Sequence, residues 1–516
     1  MDADREIELK LAVPDCAWPD LVRSVAQAGA TRDGKPKTLR SIYFDTDDEK
    51  LRASGFVLRI RSDGERNIQT VKSNGPHRSV IERGEWEAAV PGDRPVATAP
   101  RNSPLPHVIG SRELKRLRPI FTVDVEREVY VLDRGETVIE IALDRGVVHR
   151  NSAQQSFSEA EFELKQGAMQ ELFTLVREIG ESVPALLSLT TKAERGHRLG
   201  DGTSGQPVMR IDYAVRRDMD AAEIARAIAQ PCLVALLDNL AMLMAGAGGE
   251  ALHQSRVSVR RLQALLTLLR SAFGWEGGAS VRAELKWLAD LLAHPREIDV
   301  FIRSALAPAA EDNPDAPGFD ALRETFRRHR DEAYEATIQA LHSPRLLGLS
   351  VDLLTCFGGV PDSTLRLGAM KKGRKGSAWR CIEKALRRRL RSLLDDSVAI
   401  DELTVARQHA VRIRAKKLRY MLEPFAESFA PKRSRAILAS LQAMQDTLGD
   451  INDEKVNRAF ALAHARNSQG GRDGADASLF AAGIVAATCR GRRAKCLSQA
   501  AAARKRLAQA AALGFR

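Results

Sequence analysis

At 516 residues the chain is long enough for two or more domains, each with its own core. A hydrophobic fraction of 44% with 5% aromatics indicates an ordered, aliphatic-cored protein rather than a disordered one. The net charge of +12 is uneven: residues 1–206 hold 30 Lys+Arg against 33 Asp+Glu, and residues 207–516 hold 49 against 34. The second half therefore points to a polyanion partner: nucleic acid, polyphosphate or an anionic surface.

Six cysteines (Cys16, Cys232, Cys356, Cys381, Cys489, Cys496) are scattered without CxxC spacing. That argues against a zinc site or a disulfide framework and fits a reducing compartment. The N-terminus lacks the basic-then-apolar pattern of a signal peptide. The longest apolar run, near Cys232 to Gly249, is interrupted by Asp238 and Asn239. A cytoplasmic protein with no membrane partner is expected.

Arg5 to Leu11 predicts a strand with Glu6, Glu8 and Lys10 on one face and Ile7, Leu9 and Leu11 on the other. Unpaired charges are costly to bury. The charged face is therefore either a solvated edge or the wall of a wet cavity that holds a cation and an anion together. A hard divalent metal takes carboxylate oxygens, and a phosphate chain takes the metal and the lysine.

Short alternating strands follow, with a helix predicted over Trp18 to Ala28. Ser41 to Thr46 is a strand running into a turn. Phe56 to Arg61 places Arg59 and Arg61 opposite Leu58 and Ile60; Asn67 to Lys72 places Thr70 and Lys72 together. Arg83, Glu85 and Glu87 share a face opposite Trp86. In Phe121 to Leu132, Arg127 has the parity of Val123, Val125, Val129 and Val131. Glu140, Ala142 and Asp144 form another face, and Glu161-x-Glu163-x-Lys165 repeats the opening pattern. Such pairs of like charge suit a barrel with a polar lumen and an apolar outside. His77, His107 and His149 read as surface residues.

In this order the motifs Glu6-x-Glu8-x-Lys10, Tyr43-Phe44-Asp45-Thr46, Leu58-Arg59-x-Arg61, Thr70-x-Lys72, Arg83-x-Glu85-Trp86-Glu87, Arg127, Leu143-Asp144-x-Gly146, Glu161-x-Glu163-x-Lys165 and Lys192-x-x-Arg195-Gly196 resemble the CYTH domain of the triphosphate tunnel metalloenzymes. The resemblance covers about residues 1–200. It implies an eight-stranded antiparallel tunnel that hydrolyses or cyclises triphosphates with Mg²⁺ or Mn²⁺. By the same resemblance Glu6, Glu8, Glu161 and Glu163 are metal ligands. Lys10, Arg59, Arg61, Lys72, Arg127 and Lys192 hold phosphate oxygens, with Lys10 also counted as catalytic. Glu85, Glu87 and Asp144 are second-metal or water-orienting carboxylates.

Asp201 to Pro207 reads as a flexible connector. Beyond it an Ala-, Leu- and Arg-rich helical pattern runs to the end, with breaks expected at Pro308 to Gly318, Gly358 to Gly376 and Asn467 to Gly474. His253-x-x-Arg256-Val257-x-x-Arg260-Arg261-Leu262 is matched 156 residues later by His409-x-x-Arg412-Ile413-x-x-Lys416-Lys417-Leu418. Leu292-x-x-x-Arg296 answers Leu448-x-x-x-Asn452 at the same offset, which implies two equivalent helical bundles. His253, Arg256 and Arg260 form one basic ridge; His409, Arg412 and Lys416, extended by Arg419, form the other. Leu262, Leu265 and Leu269, or Ile413, Leu418 and Leu422, lie on the opposite faces. Lys371 to Gly376 and Arg387 to Arg389 read as solvated or steering charge.

This half resembles the CHAD domain over about residues 210–516, which implies two four-helix bundles binding inorganic polyphosphate in a basic cavity. By position His253, Arg256, Arg260, Arg296, His409, Arg412, Lys416 and Arg419 would contact phosphate. The expected whole is an α+β two-domain protein: tunnel 1–200, linker 201–209, helical module 210–516 with repeats at about 210–360 and 376–516. Its expected function is that of a metal-dependent inorganic triphosphatase acting on tripolyphosphate, with a polyphosphate-binding module. Alternatives are a non-catalytic polyphosphate-granule protein, an adenylate cyclase or a thiamine triphosphatase. Nucleic-acid binding is disfavoured, because few aromatics stand near the basic ridges.

Overall fold

Strands form where the charged and apolar residues alternate. The computed structural model describes residues 5–73, 81–96, 103–358, 377–395, 400–467, 475–488 and 493–512. His77, Cys489, the Lys371 to Gly376 run and most of the last two expected helix breaks lie outside them. The chain divides into two compact units: residues 1–209 with 233–247 and 341–366, and residues 210–232 with 248–340 and 367–516.

The first unit contains β1 (Arg5–Ala12), β2 (Thr31–Arg32), β3 (Lys37–Asp45), β4 (Phe56–Ser62), β5 (Asn67–Ser73), β6 (Glu82–Val90), β7 (Arg118–Asp133), β8 (Val138–Arg150), β9 (Ala153–Gln166) and β10 (Leu186–Ser188). Its helices are α1 (Trp18–Gln27), α2 (Lys50–Ala53), α3 (Leu105–Val108), α4 (Ser111–Leu114), α5 (Met169–Gly180) and α6 (Lys192–Gly200). Eight strands pair antiparallel in the order β1-β6-β5-β4-β3-β7-β8-β9, and β9 returns to β1 to close a barrel.

Because neighbouring side chains point to opposite faces, each strand separates its two kinds of residue. Leu58, Ile60 and Val71 are buried outside the barrel with Phe44, Leu51, Leu105 and Ile109. Full burial of such a side chain contributes roughly 1.5–3 kcal/mol. At the end of β3 the buried Asp45 carboxylate accepts N–H bonds from Thr46, Leu51 and Arg52, which fixes the turn into α2.

The inner face is polar along only part of its length. Leu39, Tyr43, Phe121, Val123, Val125, Val148 and Phe157 form an apolar cluster with Ala193 of α6. Helix α6 packs on β7, β8 and β9 from that side and fills this end of the lumen. Its start is capped by Thr191, whose hydroxyl accepts the Glu194 N–H at 3.0 Å. A glycine is required at 196, since a Cβ there would stand 2.3 Å from the Phe121 ring. The expected flexible connector is instead tied down. Asp201 accepts from Arg52 at 2.8 Å, Ser204 donates to Gln155 at 3.0 Å, and Gln206 donates to the Gly202 carbonyl at 2.9 Å.

Helices continue as α7 (Ala221–Met244), α8 (Gly249–Phe273), α9 (Ala279–Leu291), α10 (Ala293–Phe301), α11 (Ala307–Asp312), α12 (Phe319–Leu341), α13 (Pro344–Phe357), α14 (Ser377–Leu394), α15 (Val405–Leu422), α16 (Pro431–Asn467), α17 (Ala475–Thr488) and α18 (Arg493–Ala512). By length and composition α7 is apolar enough to cross a membrane. Its polar residues have internal partners: Asp238 accepts from Thr190 and Arg198, and Asn239 bonds the backbone of Val208.

Two expectations are corrected. Pro308 does not break the helix, because the π-helical turn Ile302–Leu306 carries α10 into α11, and the chain leaves the helix only at Asn313. Ile413 is 38% exposed; the buried stripe of α15 is Val411, Ala415, Leu418 and Leu422. Position 413 lies about 200° around the helix from 411, on the other side.

Gly196→Val should lower barrel stability by about 1–3 kcal/mol through overpacking against Phe121. Chemical denaturation followed by near-ultraviolet circular dichroism measures this, and an unshifted midpoint contradicts the plugged-lumen packing.

Candidate functional site

The strand register brings the sequence motifs together inside the barrel. Glu8 stands opposite Glu163 and Lys10 opposite Glu161 on the β1–β9 ladder. Glu6 faces Arg83, Lys72 faces Glu85, Thr70 faces Glu87, and Arg127 faces Asp144. Arg59 and Arg61 project from β4 beside Tyr43 and Ser41.

Two differently balanced acidic clusters result. In the deeper one, next to α6, ligand oxygens of Asp144, Glu159 and Glu161 lie within 4.8 Å of one another. Lys192 reaches all three, at 2.8, 2.6 and 2.8 Å. Arg127 grips Asp144 with two bonds of 2.7 and 2.6 Å and Glu161 with one of 2.6 Å. Lys10 adds a 2.8 Å pair to Glu161. Burial alone would raise the Glu161 carboxyl, but Lys10, Lys192 and Arg127 outweigh it and hold it well below the usual range. Asp144 is lowered as well, with Lys192 and Arg127 again overcoming burial.

The second set, Glu6, Glu8 and Glu163, is paired less completely, although Lys165 lies 2.7 Å from Glu163. Glu163 is pushed up to about 7 by burial, with Lys165 opposing and Glu6 and Glu140 adding to the rise. Buried Glu8 Oε1 has no hydrogen-bond donor; its nearest cations are Lys10 at 3.2 Å and Arg83 at 3.6 Å. Glu6 is paired with Lys72 at 2.5 Å. Hard carboxylate donors with an orphaned buried oxygen suit a divalent cation.

The facing wall is basic. Arg59 lies 3.7 Å from Glu85 and 3.9 Å from Glu87; Arg61 lies 3.5 Å from Glu87, and Lys72 lies 3.1 Å from Glu85. Arg61 is lowered first by Arg59, then by burial and Arg127, so added negative charge is favoured here. Thr70 donates to Glu87 at 2.8 Å. Glu85 and Glu87 are thus joined to the basic wall.

Sequence reasoning passed over Glu159, although it shares strand parity with Glu161 and is fully buried. It left Arg83 and Arg195 without a role; Arg195 lies 3.4 Å from Glu159 and 5.4 Å over the Phe157 ring. Period-two alternation alone would have selected Glu159 and Arg83.

The helical unit holds a cavity of about 820 Å³ lined by His253, Arg256, Arg260, Arg296, His409, Arg412 and Lys416. Both predicted ridges therefore border one space. Arg419 is not among its lining residues, being bonded to Gln445 at 3.0 Å and stacked on Tyr420. Mutual repulsion is visible in the titration of the ridge. Lys416 is pushed down to about 6 by burial together with Arg260, Arg412, Arg256 and Arg419. His253 falls to about 4 through burial and Arg296, and Arg256 to about 10 through burial and Arg260.

A closed antiparallel barrel with a charged lumen, joined to a helical unit with a basic cavity, defines the class: a charged-tunnel protein with a helical module. Residues 4–196 match the family model of the CYTH domain, and residues 227–462 match that of the CHAD domain. The protein is a CYTH–CHAD two-domain protein. It is 30% identical over 199 residues to an inorganic triphosphatase of Haemophilus influenzae, covering 38% of this chain and 55% of that protein, so it spans about half of that relative's length. An uncharacterized protein of Mycobacterium tuberculosis is 23% identical over 482 residues, 89% of this chain and 88% of that one. The crystal structure of the CHAD domain from Ricinus communis is 28% identical, covering 58% of this chain and 95% of that chain, with a TM-score of 0.46.

Lys192→Met removes the ammonium that joins three carboxylates. The depressed Asp144 and Glu161 stabilise the fold above the ordinary carboxylate range, and that contribution is lost as pH falls through their lowered values. The variant should therefore be about 3 kcal/mol less stable at near-neutral pH. The deficit should shrink on acidification below about pH 4. Denaturant midpoints across pH test this; a pH-independent deficit contradicts it.

Proposed function

We propose that the barrel is a metal-dependent inorganic triphosphatase that hydrolyses tripolyphosphate to pyrophosphate and phosphate, and that the helical unit binds inorganic polyphosphate. The observation that carries the reading is the arrangement of the lumen. Carboxylates that keep an orphaned buried oxygen face a wall of arginine and lysine within one closed barrel. The 30%-identical inorganic triphosphatase supports it over the CYTH part.

Glu6, Glu8, Glu161 and Glu163 would hold the first Mg²⁺ or Mn²⁺, with Asp144 beside them. When bound, the metal neutralises phosphate oxygens and acts as a Lewis acid on the phosphoanhydride. Lys10, Arg59, Arg61, Lys72, Arg127 and Lys192 position the phosphate chain and offset charge on the equatorial oxygens and on the leaving pyrophosphate. Glu85 and Glu87 orient the attacking water. Glu87 is kept ionised because Arg59, Thr70 and Arg61 outweigh its burial, so it accepts a hydrogen bond from that water. We place the protein in the cytoplasm, with the helical unit able to hold it at polyphosphate granules.

Glu6→Gln with Glu8→Gln should cut phosphate release from tripolyphosphate by about a hundredfold or more, the worth of several kcal/mol of metal stabilisation. Retention of long-chain polyphosphate should stay unchanged. Release should also vanish with chelator, and tripolyphosphate should exceed ATP and thiamine triphosphate as substrate. Undiminished release in the double variant would falsify the enzymatic reading.

A bound polyanion should restore the Lys416 ammonium. Proton uptake then accompanies binding between the free value of about 6 and the ordinary lysine value of 10.5. Affinity should rise as pH falls through that window and level off below it. Calorimetry at about pH 7.5 in buffers of different ionisation enthalpy should show uptake of about one proton, lost in Lys416→Arg because arginine stays charged. Equal uptake in both proteins contradicts the role of Lys416.

A further inference from the structure

The cavity of the helical unit also carries negative charge that a purely basic phosphate site does not use. Helix α16 lines it with Asp446, Asp450, Asp453 and Asn457, spaced so that they share one side of the helix. The ridge residues Arg256, Arg412 and Lys416 also line it, yet no ion pair within 4.0 Å joins them to Asp446 or Asp453 among the described residues. Asp446 and Asp453 thus border the same space as these cations without pairing to them among the described residues.

Asn457 is the second observation. It is only 4% exposed, and its Oδ1 has no hydrogen-bond partner. Its amide orientation follows from its neighbour. Ser304 spends its one hydroxyl proton on the Val300 carbonyl at 2.7 Å, so toward Asn457 it can only accept, and Asn457 Nδ2 lies 3.1 Å away. The amide oxygen is thereby turned elsewhere. A buried acceptor without a donor costs about 1–3 kcal/mol unless something fills its place. Ser304 belongs to the π-helical turn Ile302–Leu306, an irregularity that recurs at functional sites.

We propose that this cavity binds phosphate chains as their divalent-cation complex, the cation lying between phosphate oxygens and the acidic side of α16 at Asn457 Oδ1. The inference rests on the reading of the helical unit as a polyphosphate binder and names the form in which the ligand is taken. The α16 carboxylates do not form a cage by themselves. Among the described residues the acidic trio with converging ligand atoms is Asp144, Glu159 and Glu161 of the barrel. Mg²⁺ is commonly held this way, by one or two carboxylates plus substrate phosphates and water. The ridge cations then meet the remaining phosphate charge.

The test uses the full chain with Glu6→Gln and Glu8→Gln, so that the barrel neither hydrolyses nor takes metal through those residues. Long-chain inorganic polyphosphate binding is measured at constant ionic strength with Mg²⁺ and with EDTA. A simple basic surface loses affinity with Mg²⁺, because the divalent ion competes for phosphate. Here Mg²⁺ should tighten binding by about fivefold or more, as expected for carboxylate-assisted metal–phosphate capture. Asp453→Asn and Asn457→Leu should each remove that gain while leaving the affinity in EDTA unchanged within about twofold. If Mg²⁺ weakens binding equally in the parent and Asp453→Asn, which conserves size, the inference is overturned and the polyphosphate reading survives. If polyphosphate binds neither with Mg²⁺ nor with EDTA, the underlying reading is overturned as well.

Discussion

Charge enclosed by a β-barrel is the constraint on which this protein depends. Carboxylates cannot remain ionised in a closed lumen without cations at contact distance, and removing one partner of a buried pair is far more costly than never having built it. Strand register supplies the contact. Lys10 meets Glu161, Arg127 meets Asp144, and Lys72 meets Glu85 because these residues stand at paired positions of neighbouring strands. Lys192 reaches the same group from α6, which is held in the lumen by Phe121, Val123, Phe157 and Gly196. The apolar end of the barrel thus positions a charge for its polar end.

The neutralisation is uneven along the lumen. Asp144, Glu159 and Glu161 are met by Lys192, Arg127, Lys10 and Arg195, whereas Glu6, Glu8 and Glu163 keep an orphaned oxygen and a carboxyl pushed up to about 7 by burial and acidic neighbours. In the first cluster the ligand oxygens converge and are held by cations; in the second an acceptor oxygen is left unmet. The helical unit reverses the balance. There the cations of two ridges crowd one cavity, and burial together with their mutual repulsion lowers Lys416 and Arg256.

Much of this was legible in the residues because a strand has a period of two. Once Glu6, Glu8 and Lys10 share a face, the charged positions of the neighbouring strands follow by parity, and the expected eight-stranded tunnel is what forms. The same parity holds for Glu159 and Arg83, but Glu159 lies two residues outside the repeated E-x-E-x-K pattern. The duplicated histidine–arginine motif likewise located both ridges, since the repeat places equivalent residues at one offset. It did not show that the copies differ in their helix breaks: Leu292 falls between α9 and α10, whereas Leu448 lies within the unbroken α16.

By itself the sequence determined which residues share a face, that the first half alternates and the second is helical, and that acidic and basic side chains recur together. These are local properties, set by backbone geometry and by spacing along one element. Only the tertiary structure decided which carboxylates are neutralised, that α6 fills one end of the lumen, that residues 201–206 are tied down, and that Ser304 turns the Asn457 amide. Each of those depends on distances between elements remote in the chain, and a charge or an amide acquires its energy from such neighbours rather than from its own position in the sequence.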